Sequence, residues 1–280
     1  MAAEKPFQID LDQIIMSKIP RIYPKIPQFM LRYLKRKIHQ SELNEILRLN
    51  HQKFGVDFMR GAVDYFGLKF QVSGFDALPL DRPMVFVSNH PLGGLDGICL
   101  SAIIGEKFNH KIKYLVNDLL YYIENLKPIF IPINKYGMQN RETSKMISQA
   151  FDSENHIITF PAGLCSRKIH GEIIDLEWGK MFVQKAVEFK RDIVPVYFEA
   201  QNSNFFYRLA GIRKKMGIKF NFEMLYLPDE MFKNKDKTFR VRFGKPISWE
   251  TFDKSRSAKE WTEYVRNFSY QLKNNIERQS

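Results

Sequence analysis

His90 and Asp96 flank a short glycine turn, and their residue types and spacing suit acid–base chemistry. Five residues separate them, Gly93 and Gly94 among these, which gives an HxxxxxD motif. A carboxylate can hold an imidazole in one tautomer and leave its other nitrogen free to act as a general base. The spacing therefore predicts a His–Asp pair that removes a proton from a hydroxyl group. A strand, a glycine turn and a helix-capping aspartate are an alternative interpretation of the same residues.

The element before this motif predicts where the pair lies. The apolar run at 84–87 is typical of a buried strand and ends just before Asn89. Ligands of open α/β sheets bind beyond the carboxyl ends of the strands. We therefore expect His90 at the mouth of a sheet.

Four segments of the chain, in order, resemble the signature blocks of the lysophospholipid and glycerol acyltransferase superfamily. Asn89-His90 followed by Asp96 is similar to the first block. Residues 127–133 (KPIFIPI), 160–167 (FPAGLCSR) and 193–197 (IVPVY) are similar to the second, third and fourth. Over its full length the chain looks most similar to the bacterial hemolysin-like O-acyltransferases of ornithine and glycine aminolipid synthesis.

The resemblance implies an O-acyltransferase with His90 as general base and Asp96 as its orienting partner. It would move a fatty acyl group from a thioester of acyl carrier protein or coenzyme A to the hydroxyl of a lyso-lipid, with no cofactor and no metal. Ala162 stands where the superfamily usually has a glutamate thought to contact the acceptor. This departure favours a lyso-aminolipid acceptor, and 1-acylglycerol-3-phosphate is the competing one.

Further candidate site residues follow from the same blocks. Backbone N–H groups of the Gly93-Gly94 turn or the Gly163 loop could stabilise an oxyanion. Arg167 and Lys168 could bind an anionic group, although adjacent basic residues on a loop are often only solvated. The predicted substrate-binding residues are Asn89, Gly93, Gly94, Asn134, Arg141, Gly163, Ser166, Arg167 and Lys168. A polar patch after the third block is predicted to be structural; it comprises Asp175, Glu177, Trp178 and Lys180.

Other catalytic chemistries find little support. Cys99 and Cys165 imply neither a disulfide nor a metal site, and we expect both to be packing residues. Cys165 adjoins the third block and is an alternative thiol nucleophile, but no histidine is placed by sequence to activate it. The histidines form no ligand cluster with acids, so no metal is expected. A serine nucleophile elbow is absent from the sequence.

A basic amphipathic segment precedes these motifs in a chain with a formal net charge of +12. Seven basic residues lie between Asp12 and Glu42 with no acid among them, namely Lys18, Arg21, Lys25, Arg32, Lys35, Arg36 and Lys37. Apolar residues are interleaved with these charges, which suits the interface of an anionic bilayer. A helix pair packed on the core with a solvated basic face is the alternative. Residues 205–220 repeat the combination of apolar helical spacing and positive charge.

These patterns divide the chain into a membrane-associating segment, residues 1–60, and an α/β acyltransferase domain, residues 61–280. No apolar run approaches the 18 residues that span a bilayer. We therefore expect a peripheral protein on the cytoplasmic face of the inner membrane. An acidic acyl carrier protein is a further expected partner. A non-catalytic membrane- or nucleic-acid-binding module is the competing hypothesis, but no nucleic-acid-binding motif is present and no specific nucleic acid is expected.

Alternating strand and helix patterns indicate an α/β fold, with a mostly parallel mixed sheet covered by helices. Strands are predicted at Lys69–Ser73, Met84–Ser88, Lys113–Val116, Ile129–Ile133, Ile157–Phe160, Ile193–Phe198 and Thr238–Phe243. Helices are predicted at Gln28–Gln40, Gly97–Gly105, Asp118–Leu126, Arg141–Phe151, Lys180–Lys190 and Ala258–Asn275.

Overall fold

A seven-stranded sheet forms the centre of the computed structural model, which describes residues 7–117, 123–133 and 141–274. Its strands run in the order β1-β9-β8-β2-β5-β3-β4. In chain order they are β1 Lys69–Ser73, β2 Val85–Ser88, β3 Ile112–Asn117, β4 Phe130–Ile133, β5 His156–Thr159, β8 Ile193–Glu199 and β9 Thr238–Phe243. A separate antiparallel hairpin consists of β6, Arg167–Ile169, and β7, Glu172–Ile174.

The sheet confirms the predicted mostly parallel mixed topology. Strand β2 lies at its centre and pairs in parallel with β5 on one side and β8 on the other. Within the described ranges, β8 and β9 form the antiparallel pair of this sheet. Side chains of β2 alternate between two apolar clusters, with Phe86 in one and Val85 and Val87 in the other. Because both faces of β2 are buried, the turn that follows it starts from a fixed position.

Helices cover both faces of the sheet in the described parts of the chain. Helices α4 and α5 contribute to the cluster that contains Phe86, and α6, α7 and α10 to the opposite one. In chain order they are α1 Leu11–Lys18, α2 Gln28–Lys37, α3 Gln40–Leu49, α4 Val56–Tyr65, α5 Leu95–Lys107, α6 Arg141–Phe151, α7 Met181–Glu188, α8 Asn204–Lys215, α9 Leu227–Phe232 and α10 Ala258–Gln271. A 3₁₀ turn, Phe222–Tyr226, precedes α9.

Some predicted helices end earlier in the structure than in the sequence pattern. The helix predicted to reach Gln40 ends at Lys37, because His39 adopts a left-handed conformation with φ 51° and separates α2 from α3. Helix α8 ends at Lys215, just before Gly217 with φ 68°. The predicted helix at 118–126 lies largely outside the described residues, and its described end forms a 3₁₀ turn at Glu124–Leu126.

The N-terminal helices pack against the segment that contains α9. The hydroxyls of Tyr33 and Tyr226 lie 3.2 Å apart. The Asp229 carboxylate accepts hydrogen bonds of 3.2 Å from Lys37 and from the His39 ring. Leu31 is the buried residue of α2. The N-terminal segment therefore contacts the α9 region, and several of its apolar residues stay exposed, Ile14, Ile22 and Phe29 among them. Throughout the described ranges, no helix has the length and apolarity needed to cross a bilayer.

Asn89 continues the contact between β2 and β8 beyond the last residue of β2. Its side-chain amide donates to the carbonyl of Phe198 at 3.0 Å, and its side-chain oxygen accepts from the Phe198 N–H at 2.7 Å. The carboxamide thus replaces a backbone peptide in the ladder. This internal role is the one the structure shows for Asn89, and a contact with substrate stays a prediction.

Replacement of Asn89 by alanine should destabilise the fold, because it leaves the N–H and the carbonyl of Phe198 buried without these partners. We expect the free energy of unfolding to fall by about 2–4 kcal/mol, measured by urea denaturation. The matched control is Asn267→Ala on the exposed face of α10. Equal denaturation midpoints for the two variants would contradict the bridging role.

Candidate active site

The His90 ring is hydrogen-bonded to a buried carboxylate directly after β2. Its Nδ1 lies 2.9 Å from Oδ2 of Asp96, which has no solvent exposure. An ionised carboxylate only accepts hydrogen bonds, so the proton of this bond belongs to Nδ1. The Nε2 atom of a neutral His90 then carries the lone pair. The pair thus has the geometry of an oriented general base.

Asp96 also fixes the turn that carries the histidine. It lies in the first turn of α5, where Oδ2 accepts the Leu92 N–H at 3.0 Å. Oδ1 accepts the N–H groups of Gly94, at 3.1 Å, and Gly97, at 3.0 Å. Gly93 has φ 74°, which is the left-handed conformation that glycine allows at little cost. The turn accommodates five residues between His90 and Asp96 without separating their side chains.

The pKa of Asp96 lies below its ordinary value despite complete burial. Burial alone raises this pKa, because it removes the charged form from water. The positive charge and hydrogen bond of His90, together with the N–H donors of Leu92 and Gly97, favour the charged form and outweigh burial. Asp96 is therefore ionised at neutral pH. A negative charge at this position stabilises the imidazolium that forms when His90 takes a proton.

The imidazole of His90 packs against one aromatic ring, which a second ring supports. The His90 ring packs against Phe160 of the third block with centroids 4.3 Å apart, and Tyr114 meets Phe160 edge-on at 5.6 Å. Gly97 allows Tyr114 this close, since a Cβ atom at Gly97 would lie 2.3 Å from the tyrosine hydroxyl. The packing leaves the ring of His90 few alternative orientations.

A second buried aspartate holds the backbone of His90. Both carboxylate oxygens of Asp175 lie 3.2 Å from the His90 nitrogen, and the His90 carbonyl accepts the Ser166 N–H at 2.8 Å. The Ser166 hydroxyl donates to Asp175 at 2.6 Å, and the Trp178 indole donates at 2.9 Å. The sequence predicted a structural patch around Asp175 and did not place it beside the histidine. An acid between Ile174 and Leu176 in an apolar stretch was the available signal.

The predicted anion-binding residues are placed very differently from one another. Arg167 is buried, and its guanidinium donates to Glu223 at 3.1 Å and to the Cys165 carbonyl at 2.7 Å. Lys168 is exposed, and exposed Arg141 begins α6. Asn134 lies outside the described residues. An anionic substrate at Arg167 would have to compete with Glu223, so its contact with substrate stays a prediction, as it does for Lys168 and Arg141.

Two of the predicted oxyanion donors already have acceptors within the protein. The Gly94 N–H donates to Asp96. The Gly163 N–H donates to the Phe160 carbonyl at 2.9 Å. Each amide would have to give up this acceptor to bind an oxyanion, and the donor role of both stays a prediction. The role predicted for Gly93 stays a prediction.

Cys165 is unsuited to nucleophilic catalysis in this environment. Its thiol is fully buried, and burial raises its pKa to about 11, although the Arg167 guanidinium lowers it in part. A nucleophilic cysteine needs a thiolate at neutral pH. The geometry therefore favours the packing role predicted for Cys165 over the alternative nucleophile.

The turn after His90 also contacts the segment from α8 to α9. The Asn202 side chain, just before α8, donates to the Pro91 carbonyl at 3.2 Å. A Cβ atom at Gly93 would lie 2.9 Å from a methyl group of Leu227, the first residue of α9. Helices α8 and α9 thus begin at the candidate active site. Among the residues that the structure describes, no group of three or more His, Cys, Asp or Glu side chains could hold a metal ion.

A family model and several known proteins are similar to this chain. A family model described as Acyltransferase matches residues 13–279. The chain is 49% identical over 272 residues to a lyso-glycine lipid O-acyltransferase of Bacteroides thetaiotaomicron, and the match covers 97% of this chain and 100% of that one. A protein of the same name from Phocaeicola vulgatus is also 49% identical, with 97% and 98% covered.

A solved structure with a similar outline is the 1-acyl-sn-glycerophosphate (LPA) acyltransferase PlsC from Thermotoga maritima. It aligns with 96% of this chain and 97% of its own, with a TM-score of 0.49 and 16% sequence identity.

The burial of both cysteines predicts that the native protein resists thiol reagents. At pH 8 we expect Ellman's reagent to react slowly with the folded chain, because Cys99 and Cys165 are buried and their pKa values are raised. In denaturant both thiols should react at once. Rapid reaction of one thiol in the native protein would contradict this expected protection. Cys165 would then again be a candidate nucleophile.

Proposed function

The chain belongs to the acyltransferase family and is an O-acyltransferase; on this premise we propose that it acylates the hydroxyl of a lyso-aminolipid, with His90 as the general base. The observation that carries the proposal is the 2.9 Å contact between His90 Nδ1 and the ionised, fully buried Asp96. The names of the two relatives at 49% identity support a lyso-glycine lipid as the acceptor. Ala162, in place of an acceptor-contacting glutamate, supports a head group other than glycerol phosphate.

In the proposed reaction the acceptor hydroxyl donates its proton to Nε2 of His90 as its oxygen attacks the carbonyl of the acyl thioester. The tetrahedral intermediate collapses to the ester, the carbon–sulfur bond breaks, and the departing thiolate recovers a proton from the imidazolium. Asp96 keeps the ring in place and stabilises its charged form. A thiol has a pKa of about 8.5, so its thiolate leaves readily without a strong acid. The reaction needs no covalent acyl-enzyme and no cofactor.

The acyl donor in this proposal is a thioester of acyl carrier protein, with coenzyme A as the alternative carrier. Acyl carrier protein is acidic, and a chain with a net charge of +12 attracts such a partner. Both carriers supply the same reactive bond. The choice between them changes the docking contacts and leaves the role of His90 the same.

The acceptor is a lipid, and the exposed surface beside the site suits a lipid interface. Phe29 on α2 is 65% exposed, and Phe220 after α8 is 68% exposed. The contact between Tyr33 and Tyr226 joins the two regions. Lys18, Arg21, Lys25 and Arg32 make no ion pair with any described residue and are available to anionic head groups. We therefore propose that this lipid-facing surface, formed by α1, α2 and residues 205–226, binds the cytoplasmic face of the inner membrane.

Replacement of His90 should abolish acyl transfer. We expect His90→Ala to lower kcat at least about 1000-fold and Asp96→Asn at least about 100-fold, because the base is lost in one and its orientation and charge in the other. Purified protein is assayed with lyso-glycine lipid or lysophosphatidic acid, and with acyl carrier protein or coenzyme A thioesters. His51→Ala, an exposed histidine, is the matched control. Normal product formation by His90→Ala would remove the pair from the mechanism, and a preference for lysophosphatidic acid would replace the proposed acceptor.

The lipid-facing surface should bind anionic vesicles through both charge and apolar contact. We expect Phe29→Ser combined with Phe220→Ser to weaken binding at least about tenfold, because each phenylalanine contributes about 1.5–3 kcal/mol when buried. Flotation with phosphatidylcholine vesicles, with and without phosphatidylglycerol, measures the effect. Leu80→Ser is the control, since Leu80 is 70% exposed and precedes β2, whereas His90 follows it. An equal loss of vesicle binding in the Leu80→Ser control would contradict the proposed lipid-facing surface. Equal binding of the protein to neutral and to anionic vesicles would also contradict it.

A further inference from the structure

We propose that Asp175 is a positioning residue that holds the backbone of the catalytic histidine. The proposal rests on the function proposed for His90. Asp175 follows β7 and is 1% exposed. Among the described residues its carboxylate meets the His90 backbone, Ser166 and Trp178, and it makes no contact with the His90 ring nitrogens. Its hydrogen bonds therefore reach the histidine through the His90 N–H and through Ser166, and not through the ring.

The contacts around Asp175 form a closed ring that contains both backbone groups of His90. The His90 N–H is shared by the two oxygens of Asp175 at 3.2 Å each, and the His90 carbonyl accepts the Ser166 N–H at 2.8 Å. The Ser166 hydroxyl closes the ring with a 2.6 Å bond to Oδ1 of Asp175. Ser166 and Asp175 thus restrain the two peptide groups that flank the Cα atom of His90, a residue far from both in sequence.

This ring matters because the chain has left the sheet at His90. Strand β2 ends at Ser88, and the next residue after the histidine is Pro91, which has no N–H to anchor. Asp96 holds the imidazole and the N–H groups of Leu92, Gly94 and Gly97, and none of these bonds involves the backbone of His90 itself. A ring held by Asp96 would still shift relative to the acceptor hydroxyl if the peptide groups on either side of His90 changed their orientation. Two separate restraints, on ring and on backbone, fix the position of Nε2.

Asp175 itself is held by the last helix. Its N–H donates to the hydroxyl of Tyr270 at 2.8 Å, and its carbonyl accepts from Arg266 at 3.1 Å. Both residues lie on α10. The position of the catalytic histidine thus depends on α10, which packs on the opposite face of the sheet from α5. The third block contributes through Ser166, which acts on the histidine in this arrangement rather than on the substrate.

The test compares variants of Asp175 in the full-length protein, using acyl transfer to lyso-glycine lipid. We expect Asp175→Ala to lower kcat about 100-fold with KM within about twofold of wild type, because a displacement of about 1 Å has this effect on catalysis. Asp175→Asn should recover activity to within about tenfold of wild type. Its oxygen can still accept from His90 and Trp178, and its amide can donate to the Ser166 oxygen. Rates are divided by the folded fraction measured by circular dichroism.

The matched control is Glu177→Ala. Glu177 is two residues away and exposed, and its ion pair is with Lys259 on the surface. It should keep the kcat of wild type. If Asp175→Ala fails to fold, Ser166→Ala is the deciding variant. It removes the 2.6 Å hydrogen bond from the Ser166 hydroxyl to Asp175 and leaves the hydrogen bonds of the His90 backbone in place. We expect it to lower kcat at least about threefold at unchanged KM.

Three outcomes separate this proposal from the proposed function. If His90→Ala is inactive while Asp175→Ala, or Ser166→Ala in its place, keeps the kcat of wild type per folded molecule, Asp175 is structural only and the positioning role is refuted. A rise in KM with kcat unchanged also overturns it, because it would indicate a substrate-binding role. If His90→Ala is active, the proposed function itself fails.

Discussion

The buried, ionised carboxylate of Asp96 is the group on which the rest of the site depends. It is removed from water completely, and its charge persists because His90 and three backbone N–H groups donate to it. The same four donors define the turn between β2 and α5. Without the negative charge, the turn would lose its acceptor and the imidazole would lose the partner that fixes its proton. Structure and chemistry at this point therefore rest on the same set of hydrogen bonds.

The surrounding fold supplies a fixed frame and, as we propose, access for lipid. Strand β2 is buried on both faces, so the turn after it cannot move as a whole. On one side Asp175 and Ser166 hold the backbone of His90, and on the other α8 and α9 begin against Pro91 and Gly93. Helix α8 continues into the lipid-facing surface, and α9 begins where that surface ends. The proposed lipid-facing surface thus adjoins an element that contacts the turn after the histidine.

The sequence predicted local elements well and long-range contacts poorly. Strands Lys69–Ser73 and Thr238–Phe243 match their predicted bounds, because apolar alternation between turn residues is a local property. The His90–Asp96 pair was also predictable from the sequence, since both residues belong to one turn. The contacts of Asp175 with His90 and of Arg167 with Glu223 join residues 85 and 56 positions apart. Only tertiary packing brings such residues together. Composition does not indicate which residue will be the partner of a buried charge.

The tautomer of His90 is the most direct test of this account. In protein labelled with ¹⁵N-histidine, two-bond ¹H–¹⁵N correlations distinguish a ring protonated at Nδ1 from one protonated at Nε2, and His90→Gln identifies the signal. We predict that neutral His90 carries its proton on Nδ1, with Nε2 unprotonated, since Asp96 can only accept. A neutral His90 protonated at Nε2 would contradict the account, because the nitrogen that must take the proton would already hold one.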